Sequence, residues 1–446
     1  MARPRKQPAG AQRSLLLPDA APLPEIPVAE QPYPLPAGWK WVRLGSVISL
    51  YRGVSYKKEE AHSVPHQNDC LILRGGNIGE GTINLEADNV YVDKSLVSEH
   101  QIIKKFDIII VTSTGSTKVI GRAGVSLQDY SNVAFGAFLT LARTVNGFNK
   151  KYISLYFQTQ IYRERIQRLS KGVNINNVRS EYITECELPL PPREEQERIV
   201  ARIESLFAKL DEAREKVDAV VDGCETRRAA LLHKAFSGEL TAKWREEKGV
   251  SADWEKKLLA DIGNIITGST PSTKQPDYYG TAIAFVKPAD LNAGRFVSHT
   301  AEYLSEKGKA VSRPVKAGST CVCCIGTIGK CGFLLCDAVT NQQINSICPH
   351  DFMNELFVYY YCSSNLFKHK LIENSSATTL PIINKSRMSS LTIPVPPLPE
   401  QEEIVRLLDS LLERERQIRE AAEQVRERID LMKKAILARA FRGELG

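Results

Sequence analysis

The sequence predicts an α+β protein with a pseudo-two-fold internal repeat, in which two similar globular α/β domains are joined by two long antiparallel coiled-coil helices. Three observations predict this. Residues 188–200 (LPLPPREEQERIV) recur at 393–405 (IPVPPLPEQEEIV), and the same offset of 205 carries AFSGEL at 235–240 onto AFRGEL at 440–445. Between those landmarks each copy runs about 40 residues without proline, charged and apolar-periodic. The regions before them carry short β-type runs broken by Gly, Asn, Asp and Pro. A period near 200 residues is far beyond a solenoid unit, where repeats run roughly 20 to 50 residues. The repeat is a duplicated module: a globular region, then a rod.

The elements follow in chain order. Residues 1–36 are rich in proline and alanine and are expected to be a disordered tail. The first globular region spans 37–187, the first long helix 188–237, and a linker 238–252. The second globular region spans 253–392, and the second long helix closes the chain over 393–446. Trp39 and Trp254, like Gly53 and Gly268, are 215 residues apart, so the two openings align without a gap. Strands are expected at 106–111 (FDIIIV) and 322–325 (VCCI), each followed by a Gly/Thr-rich loop, and helix-like stretches at 152–169 and 355–371.

The long helices are read from their seams. Ile199, Ile203, Leu206, Leu210, Ala213, Val217, Val220 and Cys224 step alternately by four and three, which defines a heptad seam. The second copy gives Ile404, Leu408, Leu411, Ile418, Ala422, Val425 and Ile429, with polar Glu415 at one seam position. Pro-Pro at 191–192 and 396–397 suits a helix entrance, where missing amides cost nothing. Gly238 and Gly443 supply the stops. An amphipathic helix of this length cannot bury its stripe alone, so the two are expected to pack on each other, antiparallel.

Composition bounds the function. With 43% hydrophobic and 25% charged residues and no apolar run near the roughly 20 a membrane span needs, a cytoplasmic globular protein is expected. The first globular region has 19 basic against 14 acidic residues and the second 14 against 11, whereas the helical stretches 193–237 and 400–439 each have 9 against 10. The positive excess therefore sits on the heads, which fits a polyanionic partner and equally a slightly basic solvated surface. Seven of the ten cysteines fall between Cys321 and Cys362 without a C-x-x-C pair, so they read as small buried apolar residues rather than metal ligands. GTIGK at 326–330 has cysteine where a phosphate loop needs Gly and Ser or Thr. The seven histidines show no metal-ligand pattern, and neither a G-x-S-x-G elbow nor an amino-methyltransferase tetrapeptide occurs. No catalytic residues, metal or cofactor are assigned to this chain.

What remains is binding chemistry. Residues suited to base edges and phosphates lie near the β-runs. In the first head they are Arg52, Lys57, Lys58, Arg74, Lys118, Arg122, Asn174, Asn176, Asn177 and Arg179. In the second they are Lys274, Tyr278, Tyr279, Lys287, Lys330, Gln342, Gln343, Asn384, Lys385 and Arg387.

The order of globular region, P-L-P-P-x-x-E-Q-x-x-I-V helix entrance and K-A-F-x-G-E-L helix end, all repeated, resembles the specificity subunit of type I restriction–modification systems. The matching motifs are residues 189–200 with 234–240, and 394–405 with 439–445. The second entrance replaces Arg193-Glu194 with Leu398-Pro399, and the second helix end has Arg439 for Lys234. The resemblance implies two target-recognition domains, each reading half of an asymmetric bipartite sequence in double-stranded DNA, with the coiled coil setting the spacer. It implies two modification (methyltransferase) subunits and restriction/translocase subunits as partners. S-adenosylmethionine, ATP and Mg would then be bound by those partners. Two alternatives stay open: a coiled-coil interaction scaffold that never touches DNA, and the recognition subunit of a related system whose methyltransferase and nuclease are fused.

Overall fold

A computed structural model describes residues 23–170, 176–292, 295–376 and 381–445. The chain divides into two compact units. One contains the chain up to Glu215 together with residues from Arg426 onward; the other is Lys216–Val425. Two helices of 44 residues each, Arg193–Phe236 and Leu398–Phe441, run through both. At 1.5 Å per residue each is about 66 Å long.

In the first unit, Lys40–Arg43 pairs antiparallel with Glu187–Leu190 at the base of the head. A four-stranded sheet follows the order Ile48–Arg52, Leu139–Thr144, Ile108–Val111, Ala123–Val125. A three-stranded sheet sets Asp69–Leu73 between Tyr91–Asp93 and a parallel neighbour, Val133–Phe135. The second unit repeats the plan. Glu255–Leu258 pairs with Thr392–Val395 in the register of the first pair. Its larger sheet has five strands, with Gly263–Thr267, Ile344–Pro349, Thr320–Cys323 and Cys331–Leu334 side by side. Its other sheet again holds a parallel pair, Tyr279–Val286 with Ala338–Thr340. Cys321, Cys323 and Cys324 are buried in this head, as their apolar surroundings predict.

Each expected helix-like stretch is two helices. Lys150–Tyr156 gives way to Gln160–Leu169, and Glu355–Cys362 to Asn365–Glu373. The break is chemical: Thr159 and Ser364 sit in extended conformation and their hydroxyls accept Tyr162 and Phe367 amides, starting new helices. Asn149 and Asn354 cap the first helix of each pair in the same way.

Within each unit the long helices run antiparallel. In the first, Arg214 pairs with Asp430 at 2.8 Å and Lys433 with Asp211 at 2.5 Å. In the second, Arg227 pairs with Glu415 at 2.8 Å and Arg419 with Glu225 at 3.2 Å. Of the seam, Ile199, Ile203, Ile404, Leu408 and Ile429 are buried, while Leu206, Leu210, Val217 and Leu411 are half-buried. Val220, Ile418 and Val425 correct the expectation: they are 38%, 44% and 38% exposed. The Glu415–Arg227 ion pair occupies the contact one turn before Ile418, and the small Ala422 is the buried residue between Ile418 and Val425.

Two boundaries also change. Residues 23–36 are ordered rather than a free tail: Ile26 is buried, its amide donates to the Trp41 carbonyl, and Glu25 bridges Val42. Tyr33 Oη donates to the Phe441 carbonyl at 2.9 Å. Buried Ile26, Leu23 against the first-head core, Tyr33 against Trp41 and a free strand edge at Lys40–Arg43 hold a segment whose composition looks disordered. Residues 1–22 lie outside the described residues. The linker contains the helix Ala242–Lys248, stopped by Gly249 at φ +64°.

The end of each long helix closes a core. Phe236 packs edge-on against Phe357 and Tyr361, and Phe441 edge-on against Tyr156 and tilted against Tyr152, with centroids 4.9–5.6 Å apart. Tyr156 Oη donates to the Glu187 carbonyl at 2.7 Å, and Tyr361 Oη to the Thr392 carbonyl at 2.6 Å. These are matched positions in the repeat. The helix end of the first copy thus packs with the second head, and that of the second copy with the first.

Candidate nucleic-acid interface

The most conspicuous motif turns out to be architectural. In PPxxEQxxIV the glutamine is buried and folds back: Gln196 Nε2 donates to the Pro191 carbonyl, and Gln401 Nε2 to the Pro396 carbonyl, both at 2.9 Å. Ile199, Val200, Ile404 and Val405 are buried just beyond. The preceding glutamates differ. Glu195 is a partly exposed partner of Arg198. Glu400 is fully buried and accepts from Thr241 Oγ1 (2.7 Å), Arg245 Nη1 (2.5 Å) and Trp254 Nε1 (3.0 Å). Those donors come from the ordered linker and the opening of the second head.

The heads share a hydrogen-bonded frame that ends in an exposed turn. A Cβ on Gly53 would lie 2.1 Å from the Gly136 carbonyl oxygen, and one on Gly268 would lie 2.1 Å from that of Asn341. Only glycine fits at either place. The next amides, of Val54 and Ser269, donate to the Phe135 and Thr340 carbonyls at 2.7 and 2.8 Å. Beyond these carbonyls the chain turns: Leu139 N–H returns to Gly136 O (2.9 Å), and Ile344 N–H to Asn341 O (3.1 Å). The central residues of the first turn are Ala137 and Phe138, with Phe138 68% exposed. Those of the second are Gln342 and Gln343. Thr270 Oγ1 hydrogen-bonds Gln342 Oε1, and Asn341 Nδ2 donates to Gln343 Oε1 at 3.0 Å.

The same frame places a pair of cations in each head. Arg74 directly follows the strand Asp69–Leu73 and pairs with Asp88 at 2.9 Å. Lys287 directly follows Tyr279–Val286 and pairs with Glu302. Arg122 Nη2 donates to the Gly75 carbonyl at 3.3 Å, and Lys330 Nζ to the equivalent Pro288 carbonyl. In the first head a cavity of about 460 Å³ is lined by Tyr56, Arg74, Thr114, Ala137 and Phe138 among others. A second hollow there gathers Lys118, Arg122, Arg163 and Lys434 around a single acid, Glu80. Burial lowers the Arg163 guanidinium from its usual range, with the Glu80 carboxylate acting against the shift.

The structure therefore unites Arg74, Lys118 and Arg122 with hollows of the first head, and sets Lys287, Lys330, Gln342 and Gln343 at matching places in the second. It does not gather the others into those hollows. Arg52, Lys57, Lys58, Lys274 and Lys385 are exposed surface residues. Tyr278 is half-buried, and Tyr279 Oη is tied to the Pro271 carbonyl. Asn384 caps the helix Lys385–Ser389 through the Arg387 amide, and Arg387 Nη1 reaches the Asn374 carbonyl. Arg179 lies over the Tyr182 ring. Asn177 is exposed and its backbone pairs with Ser113, as that of Asn176 pairs with Thr114. Asn174 lies outside the described residues. Sequence reasoning missed Phe138, which only alignment of the two turns exposes. It also missed the grouping of His62, His66 and Asp69, whose H-x3-H-x2-D spacing is the available signal.

Comparison with known proteins agrees with this architecture. The type I restriction modification DNA specificity domain matches twice, at residues 36–219 and 251–424. The specificity subunit of the type I restriction enzyme StySPI from Salmonella potsdam is 28% identical over 422 residues, covering 92% of this chain and 90% of the relative. That of EcoKI from Escherichia coli K12 is 26% identical over 421 residues, with the same coverage. A chain solved in work on complex assembly and conformational transition of the type I R-M system has the same fold, with a TM-score of 0.72 over 93% of this chain and all of that one, at 20% identity. The HsdS subunit from Thermoanaerobacter tengcongensis gives a TM-score of 0.55 with the same coverage and identity. The chain belongs to the family of type I restriction–modification DNA specificity proteins.

Proposed function

We propose that this chain is the DNA-recognition subunit of a type I restriction–modification complex, reading an asymmetric bipartite sequence in double-stranded DNA with one head per half-site. The observation that carries this reading is the pair of equivalent turns, 136–139 and 341–344, which present different residues on one frame. A constant frame with variable tips is what reading two unlike half-sites requires. Gln342 and Gln343 offer the amide donor–acceptor pair that matches adenine, and Phe138 offers an apolar face for a thymine methyl or a base step. Arg74 with Arg122, and Lys287 with Lys330, would engage phosphates and set register without reading sequence.

Chemistry would belong to partners: two methyltransferase subunits using S-adenosylmethionine, and restriction/translocase subunits using ATP and Mg, all in the cytoplasm. In this reading the two 44-residue helices set the spacer between half-sites. One heptad added to both lengthens them by about 10 Å, or about 3 base pairs of duplex.

The test is single-molecule methylome sequencing of the source cell with and without this gene. Loss of one bipartite methyladenine motif on deletion supports the reading and supplies the target. If every motif persists in a strain where the neighbouring methyltransferase is expressed and active, the reading is wrong.

A further inference from the structure

The loop between Arg52 and Asp69 carries a cluster that the DNA-reading function does not use. His62 Nε2 hydrogen-bonds Asp69 Oδ2, and His66 Nδ1 lies 3.5 Å from that same oxygen. The His66 amide donates to it as well, at 2.6 Å. The three ligand atoms lie within 4.8 Å of one another, and the imidazole rings are 4.3 Å apart. The Asp69 side chain is 5% exposed and that of His66 69%. An exposed histidine has most of its rotamers open to it, yet this one lies over the carboxylate already shared by His62.

The backbone holds these groups in place independently of their side chains. His62 exchanges both backbone hydrogen bonds with Tyr91, and the Asp69 amide donates to the His66 carbonyl. Asp69 opens the strand Asp69–Leu73, so one ligand is on rigid scaffold and two are on the loop. Such pre-positioning lowers the ordering cost of binding a cation.

We propose that His62, His66 and Asp69 form a zinc site that fastens this loop to the sheet of the first head. Two imidazole nitrogens and one carboxylate oxygen are a common donor set for tetrahedral Zn²⁺, with water completing the fourth position on the exposed His66 side. Hard Mg²⁺ or Ca²⁺ would want more oxygens than the cluster offers. Among the described residues the site is particular to the first head. The pairing of Leu71 with Tyr91 and Val133 corresponds to that of Ala284 with Tyr303 and Ala338. Before Ile283 the register of the second-head strand breaks, and residues 279–282 (YGTA) carry no His, Cys, Asp or Glu to stand for Asp69.

The test uses the full chain, stripped with a chelator and dialysed against Zn²⁺ alone, with bound metal measured by elemental analysis. A single retained equivalent is expected. His66→Ala, at an exposed position that folding does not need, should weaken binding by about 100-fold or more, and Asp69→Asn should do the same. Cys336→Ser should leave binding unchanged, and Co²⁺ substitution should show no thiolate charge-transfer band. Absence of retained zinc in the wild-type chain, full binding by His66→Ala, or a thiolate band would each overturn the proposal. The measurement needs no DNA, so its outcome is separate from that of the recognition reading.

Discussion

The two heads agree where the backbone is locked and part where side chains face water. Gly53 and Gly268, the caps Asn149 and Asn354, the phenols of Tyr156 and Tyr361, and the closing Phe441 and Phe236 occupy matching places with matching partners. The turns supported by that frame share no residue at their centres, Ala137-Phe138 against Gln342-Gln343. The lesson is a division of labour inside one fold: buried geometry tolerates little change, whereas a turn tip can change without disturbing what holds it. The entrance glutamates are the exception, because the same residue type is half-exposed in one copy and wholly buried in the other.

The sharpest way to break the comparison is to remove the closing aromatics. Phe236→Ala and Phe441→Ala should each cost about 3–5 kcal/mol, with hydrogen exchange rising in the second unit for the former and the first for the latter. Equal loss of protection in both units after either change would deny that the ends close separate cores. Next comes the asymmetry. Glu400→Ala leaves the mostly buried Arg245 guanidinium without its carboxylate and should cost about 3 kcal/mol in denaturant unfolding, while Glu195→Ala should cost less than about 1 kcal/mol. Comparable values would mean the buried network contributes nothing particular to the second copy. At the turns, Gln342→Ala should relax one position of one half-site by about 1–3 kcal/mol in competition binding of the assembled methyltransferase complex, leaving the other half-site untouched. Arg122→Ala and Lys330→Ala should instead weaken binding to all sequences alike and lower the salt slope by about 1 each. The smallest effect sharpens the symmetry: Tyr156→Phe and Tyr361→Phe should each lose about 1 kcal/mol, and unequal losses would show that the cores have diverged.

Much of this was legible beforehand because the repeat itself is a measurement of structure. Motifs kept over an offset of 205 mark helix entrances and exits, and the seam from Ile199 to Cys224 has a period that only a long helix produces. The splits at Thr159 and Ser364 were not legible, since apolar residues continue on both sides and only the cap geometry reveals the break. Residues 23–36 escaped because one buried Ile26 in proline-rich surroundings gives no periodic signal. Ile418 falls outside the buried seam because a heptad count cannot know that Glu415, one turn before it, reaches Arg227. The candidate contact residues were legible only as types. Pairing Arg122 with Lys330 required the carbonyls of Gly75 and Pro288, which are far from them in sequence.

The crossed closure, in which each copy's final turn seals the other copy's core, has a consequence for heredity. Two identical chains joined in this manner would share one gene, so any substitution at the turn would alter both sides of the target together and keep it palindromic. Here residues 137–138 and 342–343 are written separately in one reading frame. If these turns read the half-sites as proposed, a single codon change revises one side alone, and the repertoire of addresses open to such a lineage grows as the product of the options on each side.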